Sequence, residues 1–195
     1  IGSPAEGLRA AMIALQRSAV MGYPVWGSDI GGYWQGDMDK EVTARWLAFG
    51  CFSPLMEVGP TEDRGLWHLD SEPSYDPELL AIWRTYATLH TNLIDYTYQH
   101  AKLARQKGTP IVRPLAIAYP GQKPALEDWQ TYMYGSDILV SPIWQKNKNN
   151  HTVYLPEGEQ WVDAWNQQEI YEGGQTVEVS TPLYKIPLFV RKNAS

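Results

Sequence analysis

The sequence predicts an α/β fold that gives way to an all-β one. Three observations carry this. Residues 1–135 alternate helix-like and strand-like segments, whereas residues 136–195 hold only short β-prone runs between turns. A carboxylate, Asp29, follows an apolar strand-like run inside a glycine-rich loop. Loops after strand ends are where α/β folds place their sites.

The elements follow in order. Pro4 to Met21 reads as a helix, with Leu8, Ala11, Met12, Leu15 and Ala19 at spacings of three and four and Gly22 ending the run. Tyr23-Pro24-Val25-Trp26 is short and β-prone, a buried strand that runs into the loop Gly27–Tyr33. Lys40 to Phe49 is a second helix, with Asp39 as N-cap and Gly50 as its stop. Pro54, Pro60 and Pro73 make residues 53–75 irregular. Asp76-Pro77-Glu78 is a helix start, with the cap, the proline and the acidic residue in their favoured places. The stripe from Leu79 to Ala101 runs on to Gly108. Such a helix would be about 45 Å long, so a kink is expected. Thr109 to Leu115 reads as a strand and Ala125 to Tyr134 as a short helix.

Beyond Gly135 come five β-prone runs: 138–140, 152–155, 161–165, 176–179 and 186–190. Pro156-Glu157-Gly158, Gly173-Gly174 and Thr181-Pro182 supply turns between them, and the spacing predicts a small sandwich. The polar stretch Gln145–Asn150 reads as an exposed hairpin tip.

Composition narrows the function classes. The 195 residues carry 16 Lys+Arg against 22 Asp+Glu, with no basic patch, so a nucleic-acid partner is not expected. No apolar run approaches the ~18 residues of a membrane span, so no membrane partner is expected either. One cysteine excludes an internal disulfide framework and a Cys-rich zinc site. The histidines, His68, His90, His100 and His151, fall at no metal-ligand spacing, and nothing suggests a metal or another cofactor. Cys51 reads as a buried small residue rather than a nucleophile. The chain holds 9 Trp and 12 Tyr but only 3 Phe. Rings with an apolar face and a polar handle suit sugars, although the same rings fill cores and interfaces.

Asp29 is the carboxylate that stands out. Gly27, Gly31 and Gly32 let the chain turn and a ligand approach. A carboxylate there can accept two sugar hydroxyls, or it can bond its own turn amides. The glycines do not match a phosphate loop, since no Lys-Ser/Thr follows.

At this point five segments, in order, resemble glycoside hydrolase family 31. Gly22–Tyr33 (GYPVWGSDIGGY) resembles its G-x-D-I-x-G-F/Y motif. Arg45-Trp46 with Gly50–Met56 resembles its R-W-x-x-x-G-x-F-x-P-x-M run. Ile111–Leu115 resembles its R-P-L strand, Gly135–Ile143 its entry into the C-terminal sandwich, and Tyr154–Trp161 the turn that follows. The resemblance implies a retaining α-glycosidase in which residues 1–135 end a (β/α)8 TIM barrel and residues 136–195 form a C-terminal β-sandwich. Pro24–Trp26 would be barrel strand seven and Thr109–Leu115 strand eight. It further implies a nucleophile and an acid/base carboxylate that both lie upstream of Ile1, so that this chain is a piece of a longer polypeptide and contains no catalytic residue of its own. Its part would be one wall of the sugar pocket, with Asp29 for polar contact, Tyr33 for stacking, Ile30 beside them and Trp26 beneath.

One departure bears on substrate. Where family members continue into R-x-H, this chain has Glu57 at the Arg position and Gly59 at the His position. A donor is lost and an acceptor gained, and Glu57 joins the candidate substrate-binding residues. The expected substrate is an oligosaccharide or glycoside with terminal α-linked glucose. α-Xylosidase, α-galactosidase-like, sulfoquinovosidase and transglucosidase specificities stay open, as does a non-catalytic carbohydrate-binding or structural role.

Overall fold

A computed structural model describes residues 4–32, 39–58 and 76–193. Helix α1 spans Pro4–Val20 and α2 spans Lys40–Cys51. Helices α3 (Pro77–Asn92) and α4 (Ile94–Lys107) are the expected long helix, broken at Leu93. No proline or glycine sits at the break. Thr91 instead turns its hydroxyl back onto the Ala87 carbonyl, a bond that bends helices. Asp39 caps α2 by accepting from the Val42 amide, and Asp76 caps α3 by accepting from the Leu79 amide. Gly108, at φ +69°, ends α4 in the left-handed region that favours glycine.

The β part begins earlier than the sequence predicts. Strand β1 (Val112–Pro114) is followed by two short helices, α5 (Leu115–Ala118) and α6 (Lys123–Glu127). Then come β2 (Tyr132–Tyr134), β3 (Ile138–Val140), β4 (Asn150–Leu155), β5 (Gln160–Asp163), β6 (Asn166–Glu172), β7 (Gln175–Ser180) and β8 (Leu188–Arg191). One sheet has the order β1-β2-β3-β8-β5-β6, and β4-β7 form a second. Every strand pair in both is antiparallel.

Four expectations meet the strand pairing here. Val112–Pro114 is a strand, and its partner among the described residues is the antiparallel β2. Residues 132–134 are a strand and not the end of a helix. The expected boundary at 135/136 falls within the sheet, because Gly135 (φ +64°) belongs to the turn between β2 and β3. Pro24–Trp26 joins no ladder among the described residues; the parallel pairing found is one bridge, Asp29 to Glu57. That bridge makes residues 53–58 the parallel neighbour of the Asp29 segment, reached through α2.

The centre of the larger sheet, β2 and β3, is buried on both faces. Tyr132, Tyr134, Ile138, Val140 and Leu188 face the helices in one core. Met133, Leu139 and Phe189, the alternate residues on the same strands, join Trp161 in a second core. There they meet Val153 and Leu155 of β4 and Val177 and Val179 of β7. The period-2 alternation thus serves two cores at once, giving three layers: helices, six-stranded sheet, two-stranded sheet.

Helix α2 is fastened to the sandwich by Arg45, which is 5 % exposed. Its guanidinium donates to four carbonyls: Thr181 at 2.9 Å, Lys148 at 3.2 Å, and Pro182 and Lys185 at 3.3 Å each. Glu41 lies 3.6 Å away on the same helix face. Burial pulls the Arg45 pKa down, with Glu41 partly offsetting it. The Gln145–Asn150 stretch also docks here: Lys146 pairs with Asp39 at 2.5 Å, and the Asn147 amide donates to the Glu41 carboxylate. Arg45→Met removes donors from four backbone carbonyls and the ion-pair partner of Glu41. We expect a loss of about 3–5 kcal/mol, read as a urea-midpoint shift of the full-length protein. A loss below about 1 kcal/mol would mean that water replaces the guanidinium.

A half-buried histidine, His151, sits in the sandwich against two buried hydroxyls. His151 Nε2 meets Ser141 Oγ at 2.9 Å, and Ser141 meets Thr131 at 2.8 Å. Burial lowers the His151 pKa from 6.5, partly opposed by Asp128. The unfolded chain therefore takes up a proton that the folded one resists. Stability is complete above about pH 6.5 and falls as the pH drops through that value toward the folded pKa. Thermal melting between pH 7.5 and 5 is expected to show this slope, and His151→Gln to flatten it.

Candidate functional site

The site builds outward from the Asp29 bridge. The Ile30 amide donates to the Glu57 carbonyl at 2.9 Å, and the Gly32 amide donates to the Asp29 carbonyl at 3.0 Å. Gly31 and Gly32 follow at φ +87° and +95°, values open to glycine and strained for other residues. The turn is thus closed through the backbone of Asp29 and not its side chain. Among the described residues the Asp29 carboxylate accepts no hydrogen bond and has no ion-pair partner, which argues against the reading that it merely serves its own turn amides.

The segment is held by close approach. A Cβ at Gly27 would stand 2.3 Å from the Leu55 carbonyl oxygen, and one at Gly50 would stand 2.6 Å from Ile30 Cδ1. Gly50 therefore does not stop α2, which continues to Cys51. It lets the Ile30 side chain pack flat on the helix. Ile30 is 4 % exposed and belongs to the core. The side chain anchors the loop. Trp26 is half-buried against the same core. Glu57 is exposed, at the same register as Asp29. In a bridged pair the two side chains leave the same face, so both carboxylates share one side of the segment. Tyr33, Gly59 and His68 lie outside the described residues.

Two contacts that sequence reasoning missed complete the support. Trp46, 5 % exposed, donates its indole N–H to Ser28 Oγ at 2.8 Å. Gly7 of α1 faces the far edge of that ring, where a Cβ would lie 3.6 Å from it. The remaining chemistry-bearing residues go to structure. Cys51 is fully buried and burial pushes its thiol pKa up. His90 Nδ1 meets the Cys51 carbonyl, and His100 meets the Tyr96 carbonyl and Ser136. Among the described residues no three His, Cys, Asp or Glu side chains gather as metal ligands, and no helix is long and apolar enough to cross a membrane.

Comparison with known proteins places this arrangement. Residues 1–100 match the TIM-barrel domain of glycosyl hydrolases family 31, and residues 108–194 match the family's C-terminal domain. The second match begins at the glycine that ends α4. A sulfoquinovosidase of Escherichia coli is 32% identical over 97% of this chain and 27% of its own length. An α-xylosidase of Saccharolobus solfataricus is 31% identical over 96% of this chain and 25% of its own length. Among solved structures, a soil-metagenome GH31 α-xylosidase complexed with xylose superposes with a TM-score of 0.88 at 30% identity. It covers all of this chain, which in turn spans 32% of it. The chain spans about a quarter of the length of these curated relatives. With the barrel model matching half of it and the C-terminal model nearly all the rest, the chain belongs to glycosyl hydrolase family 31.

Proposed function

We propose that these residues form one wall of the sugar pocket in a retaining, exo-acting α-glycosidase. The observation that carries this is the Asp29 carboxylate. It is half-buried, unpartnered among the described residues and held in place from its backbone. Such a group is ready to accept two hydroxyls of a sugar ring without first breaking bonds of its own. Double displacement passes through an oxocarbenium-like transition state, and hydroxyl hydrogen bonds tighten as it forms. The part of this chain in that reaction is binding: Asp29 as acceptor, Trp26 as an apolar support beneath, Tyr33 as the stacking ring, and Glu57 as a second acceptor on the same face.

Relatives carry several specificities. Their names include sulfoquinovosidase, α-xylosidase and 1,3-α-isomaltosidase. A terminal α-linked glucose is our first assignment. Glu57, in place of the family's Arg, is the residue to vary when that assignment is tested.

The experiment is hydrolysis of p-nitrophenyl α-D-glucoside and α-D-xyloside by the full-length protein and its Asp29→Ala variant. A charge-assisted hydrogen bond contributes about 1.5–3 kcal/mol, so kcat/KM is expected to fall by more than about tenfold. Activity surviving within tenfold would remove Asp29 from the pocket. No turnover of any α-glycoside, with sugar binding intact, would favour a non-catalytic binding role.

A further inference from the structure

The residues on both sides of Asp29 are gripped by one helix. Ser28 accepts the Trp46 indole N–H at 2.8 Å, and the Ile30 side chain lies on Gly50, one turn further along α2. Neighbouring side chains of a bridged segment leave opposite faces. Seating Ser28 and Ile30 on α2 therefore sends the Asp29 carboxylate the other way. The segment cannot slide, because Gly27 already touches the Leu55 backbone. It cannot roll without leaving a buried indole N–H unpaired. Arg45, next to Trp46, binds α2 to the sandwich carbonyls.

We propose that Trp46 and Ser28 are positioning residues: their hydrogen bond sets the angle at which Asp29 meets the sugar, and α2 carries that setting from the β-sandwich. This rests on Asp29 being a sugar ligand. Neither residue touches substrate; both act through Asp29.

The test uses the full-length protein, with kcat and KM on p-nitrophenyl α-D-glucoside and α-D-xyloside and thermal melting alongside. Ser28→Ala and Trp46→Phe are each expected to lower kcat/KM about five- to fiftyfold. The double variant should fall no further than the weaker single one, since both remove the same bond. Ser28→Thr, which keeps the hydroxyl, should return to within about threefold of the parent. A merely structural bond would lower Tm while leaving kcat/KM per folded molecule within about twofold, and that result overturns the proposal. So does multiplication of the two single effects. Asp29→Ala separates the two readings. If it is damaging while Ser28→Ala is silent, only the positioning role fails. If Asp29→Ala is itself silent, or the parent neither turns over nor binds a sugar, the sugar-ligand reading fails and the positioning role with it.

Discussion

The structure turns on a buried guanidinium. Arg45 reaches from α2 into the sandwich and gathers carbonyls from two separate stretches, Lys148 on one side and Thr181, Pro182 and Lys185 on the other. Removing a charge from water is costly, and here the charge faces backbone dipoles with only one carboxylate nearby. The planar fork makes this workable, since its donors spread over several acceptors where an ammonium would bind fewer. The Nε atom is buried without a partner, which shows how far the geometry was bent to serve the other two nitrogens. A helix held this way has a fixed register, and everything else on α2 inherits it.

The inheritance runs in both directions along one turn. At the start of the helix, Asp39 caps the amides and also pairs with Lys146, while Lys40 pairs at 2.5 Å with Asp76, the cap of α3. Two capping carboxylates thus tie three elements together. Tyr86 of α3 adds a further fastening: its hydroxyl donates to the Tyr184 carbonyl and accepts from the Ile186 amide. The loop at 181–187 has few backbone partners of its own, and side chains from α2 and α3 supply them. The barrel portion and the sandwich therefore share one polar junction under their shared apolar core.

Much of this was legible in the chain, and the rest was hidden for physical reasons. The caps at Asp39 and Asp76 and the stop at Gly108 rest on local chemistry, which a sequence shows directly. The strands 138–140, 152–155 and 176–179 were legible from β-branched runs. Strand β6, Asn166–Glu172, was not: its residues are nearly all polar and exposed, so no apolar alternation marks it. Residues 132–134 were misread because both faces of that strand are buried, and an unbroken apolar run does not distinguish strand from helix. Gln145–Asn150 is exposed, as its polarity suggests, and it also meets α2 through Lys146 and the Asn147 amide. At the site, Asp29 stood out through its glycines. Gly50 was read as a helix stop because a glycine required by a close approach looks the same as one required by a turn. The Trp46–Ser28 bond joins residues 18 positions apart, and only the fold brings them together.

The aromatic excess has the same origin. Rings with polar handles suggested sugar binding, yet several of those described use the handle on protein backbone. Trp161 donates to the Pro156 carbonyl, Trp165 to that of Ile186 and Tyr132 to that of Phe52. Tyr96 donates to the Tyr134 carbonyl and accepts from the Asp137 amide beside the Gly135 turn. A phenylalanine of similar size would fill these places but leave the loop groups unpaired. At these positions the polar handle closes a backbone group that a phenylalanine would leave open. Trp46 obeys the same rule at the edge of the candidate pocket. Its partner there is a serine hydroxyl next to Asp29, and so a device used elsewhere to close loops comes to bear on a carboxylate with no partner among the described residues.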